Sequence, residues 1–379
     1  MNTAVDELGI GLMCFPGLES VVQSFSGYID VVETEPQASW FKESPESDSF
    51  CFEPLFANFL ANLPQPKIFH GVGFPVGGTF LPCRDHFETL NAHIRAVRPT
   101  YISEHLSFNK FCNMDGEINH TNFLLPPLQN EHGIQTAVRA IRQYKNQTSL
   151  PFAFETGCNY LQPRKGEMED GEFVARIAEE SDTYILLDLH NLMANEWNGR
   201  QQVKDFVAQL PPERIIEIHL AGGFFFNDYY LDAHSAISSG ELLSLAHSII
   251  EDLPCLKSIV FEMRPDPAGE RSLSREESGN TLSENNIKKQ LIEMNRLWDQ
   301  RNKRSRNNRS YQRSRSSSPV DNTLIPEVWE YALGNVVTGQ EDETHPLQYE
   351  LMQDQGTEII RDLLAGVQPS PQTMPALLT

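Results

Sequence analysis

The segments Tyr184-Ile-Leu-Leu-Asp-Leu-His-Asn191 and Ile215-Ile-Glu-Ile-His-Leu-Ala-Gly222 each carry a short apolar run that climbs to an ionisable residue, Asp188 in one and His219 in the other. The same profile recurs at residues 8–13, 29–33, 67–70, 100–105, 151–155 and 258–262, making eight runs in all. Seven of them end on a side chain suited to metal: Glu33, His70, His105, Glu155, Asp188, His219 and Glu262. Short runs rich in Val, Ile, Leu and Phe, bounded by loop residues, fit strands buried on both faces. Between them lie helix-forming stretches at 53–62, 86–97, 133–144, 170–180, 200–209 and 240–251, with a last one from 282 to about 300. Strand-helix alternation argues for a parallel sheet. Eight units over roughly 250 residues or a little more predict a (β/α)8 TIM barrel, with chemistry at the C-terminal ends of the strands. A doubly wound open sheet is the main alternative, but no Gly-rich turn follows the first strand to support a dinucleotide site.

The 379 residues, 40% of them hydrophobic, carry a formal charge of -22, and the mean hydropathy is -0.39. No apolar run reaches the roughly 20 residues that span a bilayer, and the amino terminus lacks a basic segment leading into an apolar one, so a cytoplasmic protein is expected. The negative charge repels nucleic acid and anionic membrane, which argues against general binding to either. The six cysteines (14, 51, 83, 112, 158 and 255) show no CxxC pairing and read as reduced thiols. Cys158 stands out because it lies three residues beyond Glu155, although a small loop residue is its simpler reading.

Residues 1–300 form the expected barrel. At 301 the composition changes to Arg-Asn-Lys-Arg-Ser-Arg and on to Ser-Ser-Ser-Pro, which predicts a disordered Arg/Ser-rich linker over 301–321. Residues 322–379 contain apolar positions such as Val328, Trp329, Leu333, Ile359 and Leu363 that suggest a small helical segment with a frayed tail.

Singly, each strand-end histidine is most simply a hydrogen-bonded structural residue, and each carboxylate a helix cap or ion-pair partner. Together they require many ionisable groups to converge on one barrel mouth. Burying uncompensated carboxylates costs several kcal/mol per ion, and bound cations are the usual compensation. Three or four histidines with about four carboxylates exceed what one ion uses, so two or three metals are implied. Oxygen and imidazole donors without thiolate suit iron, manganese or zinc alike. Asp232-Ala-His234 follows in the next loop, and its spacing places both side chains on one side of an extended segment.

Taken in order, His70-Gly-Val-Gly, Ser103-Glu-His-Leu, Leu124-Leu-Pro-Pro127, Glu155, Glu167-Met-Glu169 with Glu172-Phe173, Leu186-Leu-Asp-Leu-His-Asn191, Glu217-Ile-His-Leu-Ala-Gly222, Asp232-Ala-His234 and Glu262 resemble the motifs of the multinuclear non-haem iron-dependent oxidative enzymes, the family of the methanobactin-biosynthesis oxidase. The resemblance runs over about residues 8–300. It implies two or three iron ions and O2 as co-substrate. The implied substrate is a ribosomally made precursor peptide, often modified at a cysteine in natural-product biosynthesis, beside a peptide-recruiting partner protein. Carried over residue by residue, it makes His70, His105, Glu155, Asp188, Asn191, His219, Asp232, His234 and Glu262 metal ligands. Glu33, Glu104 and His190 stand beside them as extra ligands or supporting residues. The chain departs from the family pattern at Thr156 and at His190, where Asn is usual, and at Gly223, where His is usual. Two other readings compete: a multi-metal zinc or manganese hydrolase or isomerase, and a non-catalytic peptide-binding or scaffold protein.

Overall fold

A computed structural model describes residues 5–42, 44, 49–112, 118–163, 166–226, 229–264 and 282–304. Eight strands, Gly9–Met13 (β1), Val31–Thr34 (β2), Lys67–Gly71 (β3), Ile102–His105 (β4), Phe152–Glu155 (β5), Tyr184–Asp188 (β6), Ile215–Leu220 (β7) and Ser258–Phe261 (β8), close into a barrel. Each pairs in parallel with the next, and β8 returns to β1. Around them run helices Glu19–Ser24 (α1), Pro54–Asn62 (α2), Arg84–Val97 (α3), Glu131–Gln147 (α4), Asp170–Ser181 (α5), Leu189–Trp197 (α6), Val203–Gln209 (α7), Gly240–Ile250 (α8) and Glu284–Arg304 (α9). This is the (β/α)8 architecture that the eight runs predict. None of the described helices is long and apolar enough to cross a membrane.

The alternation of side chains along a strand explains how the barrel holds both a dry interior and a polar mouth. Ile10, Leu12, Val32, Phe69, Ile102, Phe154, Ile185, Leu187, Ile218 and Ile259 belong to the large apolar core that the helices cover. Val31, Ile68, Tyr101, Ala153, Leu186, Ile216 and Val260 form a second, separate apolar cluster inside the barrel. Two residues further along the same strand face come Glu33, His70, Ser103, Glu155, Asp188 and Glu262, and His105 lies two beyond Ser103. Strand β7 reaches this register through a bulge: Ile185 pairs with Ile215 and Leu186 with Glu217, leaving Ile216 as the extra residue. Strand β1 has no ionisable end. Its inward Gly11 leaves room for Val31 and Val260, whose side-chain carbons lie 2.9 and 2.7 Å from where a Cβ would stand.

Several elements fall outside the sequence-based expectation. Helix α6 starts directly after β6 because Asp188 is both the last strand residue and the helix N-cap, its carboxylate accepting from Asn191 N at 2.7 Å. The predicted 200–209 helix is therefore α7 alone, and the short α1 was not anticipated. Among the described residues, three two-stranded hairpins decorate the loops: Trp40–Phe41 with Cys51–Phe52, Phe108–Cys112 with Ile118–Leu125, and Gly222–Phe226 with Tyr229–Ala236. Helix α9 runs on to Arg304, past the expected boundary at 300. Arg301 is buried, and its Nη2 donates to the carbonyls of Leu256 at 3.0 Å and Leu253 at 3.3 Å. The rest of the expected linker and the whole expected 322–379 segment lie outside the described residues.

Candidate metal centre

Every residue named as a ligand from the sequence converges on the C-terminal mouth of the barrel. His70 Nε2 and His105 Nε2 lie 3.2 and 2.9 Å from Glu155 Oε2. The far nitrogen of each ring is held from behind: His70 Nδ1 by Ser103 Oγ at 2.8 Å, and His105 Nδ1 by the Gly71 carbonyl at 2.9 Å. A ring fixed at one nitrogen presents the other as a ligand of set direction. Glu155 then faces a second group, with His219 Nδ1 3.7 Å from its Oε1, 3.9 Å from Asp188 Oδ2 and 2.8 Å from Glu262 Oε2.

A third group sits on the hairpin after β7. His234 Nε2 is 3.0 Å from Asp232 Oδ1, 3.5 Å from Glu262 Oε2 and 3.7 Å from Asp188 Oδ2. Asp232 and His234 do share a side, as their spacing suggested, but by a different route from a regular strand in a loop. Phe224 pairs with Leu231 and Gly222 with Ala236, so residues 232–235 bulge opposite Gly223 alone. His234 takes a left-handed backbone, φ 47°, which a non-glycine residue adopts at a cost and which is concentrated at functional sites.

Glu33 and His190 also join the clusters. His219 Nε2 lies 2.9 Å from Glu33 Oε2, with Glu217 close behind, and His190 Nε2 is 3.6 Å from Asp232 Oδ1. Glu104 is different: its oxygens accept from the backbone N–H groups of Phe74 and His105 at 3.1 and 2.9 Å, so it braces the β3 and β4 ends and belongs to none of the groups. Sequence reasoning did not single out Ser103, Glu217 or Tyr160 as site residues; Tyr160 Oη accepts from Asp232 N at 2.8 Å. Thr156, noted only as a departure, accepts from Asp188 N through Oγ1 at 3.0 Å. Hydroxyl residues such as Ser103, Thr156 and Tyr160 are too common for sequence to flag such supporting roles.

The electrostatics follow from burial. Burial lowers the imidazolium of His105, but Glu155 and Glu104 overcome it and hold it up to about 10; Asp232 and Glu262 do the same for His234. Burial raises Glu155 and Glu262 toward the neutral form, while the facing histidines pull both well below the usual carboxylate range. Asp188 is raised to about 7, chiefly by burial, with Glu155 adding to it. Cys158 lies beside the site, and burial and the nearby Asp232 push its thiol well up.

These residues fit bound cations on two observations. Among the described residues, buried atoms of the mouth lack hydrogen-bond partners although they face one another: His70 Nε2, Glu155 Oε2, Asp188 Oδ2, His234 Nε2 and both nitrogens of His190. The Asn191 amide is also caught between acceptors. Its Nδ2 reaches the Thr156 carbonyl at 3.3 Å and Glu155 Oε1 at 3.5 Å; turned over, it would donate to Asp232 Oδ2 at 2.7 Å and Oδ1 at 2.9 Å. An amide has one donor end, so in either orientation its oxygen faces oxygens, a repulsion that a cation between them removes.

A (β/α)8 barrel whose strand ends gather imidazoles and shared carboxylates is the class these features define. Within it, residues 26–268 match the family model described as "RiPP precursor modification enzyme MbnB/TglH/ChrH", and the chain belongs to that family. A UPF0276 protein of Chromobacterium violaceum is 26% identical over 241 residues, covering 64% of this chain and 86% of that protein. A UPF0276 protein of Anaeromyxobacter sp. (strain Fw109-5) is 30% identical over 210 residues, covering 55% of this chain and 72% of that protein. Among solved structures, the D-allulose 3-epimerase of Methylomonas sp. superposes with a TM-score of 0.50 at 10% identity, over 79% of this chain and 100% of that one, a likeness of fold alone.

Proposed function

We propose that this protein is a multinuclear non-haem iron-dependent oxidoreductase that uses O2 to modify a residue, often a cysteine, of a ribosomally made precursor peptide in the cytoplasm. The carrying observation is that the clusters share their carboxylates. Glu155 belongs to two of them, and Asp188 and Glu262 also lie within 3.7 and 3.5 Å of His234 in the third. The family description supports a precursor peptide as substrate. Iron rests on the family resemblance, because the donor set suits manganese and zinc as well.

In this reading His70, His105 and Glu155 would hold one ion, Glu155, Asp188, His219 and Glu262 a second, and Asn191, Asp232 and His234 a third. Bound iron supplies, with O2, the one-electron chemistry needed to take hydrogen from a carbon next to a substrate heteroatom. Ser103 and the Gly71 carbonyl aim the first pair of imidazoles, and Glu33 aims His219. The floor excludes water, since the side chains of His70, Glu155, Asp188, His219 and Glu262 are at most 2% exposed. His105, His234 and Asp232, at 11, 10 and 19%, form the open side where a peptide approaches. A peptide-recruiting partner protein would deliver it there.

The test is incubation of the iron-loaded full chain with the precursor peptide encoded beside it. A mass change in air and none without O2 is expected. An unchanged mass in air counts against the reading, and O2-independent turnover with zinc or manganese points to a hydrolase or isomerase.

A further inference from the structure

Resting on that metal-centre reading, we propose that His190 is a further ligand of the outer metal position, joining Asn191, Asp232 and His234 there. The His190 ring is fully buried, yet among the described residues neither Nδ1 nor Nε2 has a hydrogen-bond partner. A neutral imidazole carries one donor and one acceptor, and leaving both unpaired in a core is a cost that a leucine or phenylalanine would avoid. A role as apolar filler therefore leaves its chemistry unexplained.

The surroundings point to a cation. His190 Nε2 lies 3.6 Å from Asp232 Oδ1, and one donor atom each from His190, Asp232 and His234 fall within 4.8 Å of one another. That 3.6 Å is too long for a hydrogen bond. It is close to the spacing of two donors each about 2.1 Å from a common ion, roughly 3 to 3.5 Å. Two imidazoles, one carboxylate and the Asn191 amide oxygen still leave coordination positions open at a six-coordinate ion, as an oxygen-using centre requires.

The hairpin leaves this space to residue 190. A Cβ on Gly223 would stand 2.0 Å from the Leu231 carbonyl oxygen and 3.2 Å from His190 Cε1, so the backbone passes bare beside the His190 ring. Position 223 accepts no side chain without a backbone shift. Residues 190 and 223 are two of the three departures from the family pattern, His for Asn and Gly for His, and the fold brings them into contact. The chain supplies from the start of α6 an imidazole that its hairpin cannot carry.

The test is anaerobic titration of the full chain with ferrous ion alone, comparing wild type with His190→Ala and His190→Asn by equilibrium dialysis. Cobalt(II) absorption of the loaded proteins reads the ligand field independently of activity. One ion fewer per chain in both variants, or a last ion bound about tenfold or more weakly, is expected, together with an altered cobalt spectrum. Metal-free melting temperatures check folding, and His190→Asn keeps the test open if His190→Ala does not fold. Wild-type stoichiometry, affinity and spectrum in the variants would overturn the role of His190 and leave the metal centre standing. A wild-type chain that binds no ferrous ion overturns both.

Discussion

His219 Nε2 stands 2.9 Å from Glu33 Oε2, both side chains fully buried, while its Nδ1 faces Glu262 at 2.8 Å. Glu33 thereby sets which nitrogen of His219 faces the central cluster. Residues that orient a ligand this way change metal affinity by about 10- to 100-fold when removed. Glu33→Ala should weaken the central ion by that factor, and Glu33→Gln by less, because an amide oxygen still accepts from Nε2. Chelator competition measures it, and equal affinity in all three proteins removes the positioning role.

Asp188 serves two masters, and substitution can separate them. One oxygen caps α6 through Asn191 N at 2.7 Å, and the other has no hydrogen-bond partner among the described residues and faces His234 at 3.7 Å. Serine keeps the cap and loses the cluster contact; alanine loses both. Metal binding should fall equally in Asp188→Ser and Asp188→Ala. The metal-free alanine variant should be less stable than the serine variant by about 1 kcal/mol, the worth of a cap. Denaturant melts decide it.

How much of this was legible in the sequence can be argued from the same strands. Parity did most of the work: Val31 and Glu33, Ile68 and His70, Ala153 and Glu155, and Leu186 and Asp188 are two apart, so the apolar layer and the polar mouth were both written into the alternation. The Ile216 bulge breaks that parity and could not be read, yet His219 still emerged because the motif around it is distinctive. The hairpin carrying Asp232 and His234 looked like a loop, since its pairing depends on a left-handed His234 that no local signal announces. Helix α6 was hidden by Asp188, which reads as a strand end although it is equally a cap.

Acid should destabilise the barrel wall through two histidines remote from the centre. His86 packs between Trp40, Phe74 and Phe87, and His93 stacks on Phe52 and accepts from Trp40 Nε1 at 3.2 Å. Burial lowers them from an ordinary 6.5 to about 3 and about 4, with Lys110 adding to the effect on His86. The folded chain keeps both neutral while the unfolded chain protonates them, so their contribution is complete above about pH 6.5 and is lost as pH falls toward the folded values. At pH 4.5 the loss from His86 is on the order of 2 to 3 kcal/mol. His86→Leu should flatten the slope of stability against pH between about 6.5 and 4, and an unchanged slope would show that this ring does not set it.

Beyond Glu155 the chain borders a small recess lined by Leu106, Pro126, Pro127, Gly157, Leu192 and Phe206, among others. Its buried polar neighbours are already paired: Asp170 with Arg200 Nε at 2.9 Å, and Asn195 with Asn159 N at 2.6 Å. What remains exposed to a visitor is chiefly apolar, which suits a small apolar group of the substrate held beside the metals. Gly157 is the place to test this, because among the described residues a Cβ there meets nothing nearer than the Leu106 carbonyl oxygen at 3.7 Å, so a small side chain can be added at this wall. Gly157→Val should leave ferrous-ion stoichiometry unchanged and weaken precursor-peptide binding by about tenfold or more, a loss of roughly 1.4 kcal/mol. Isothermal titration of peptide into the metal-loaded variant reads the difference. Undiminished peptide affinity would place the substrate elsewhere on the mouth, while loss of metal together with peptide would show that the recess supports the centre instead of receiving substrate.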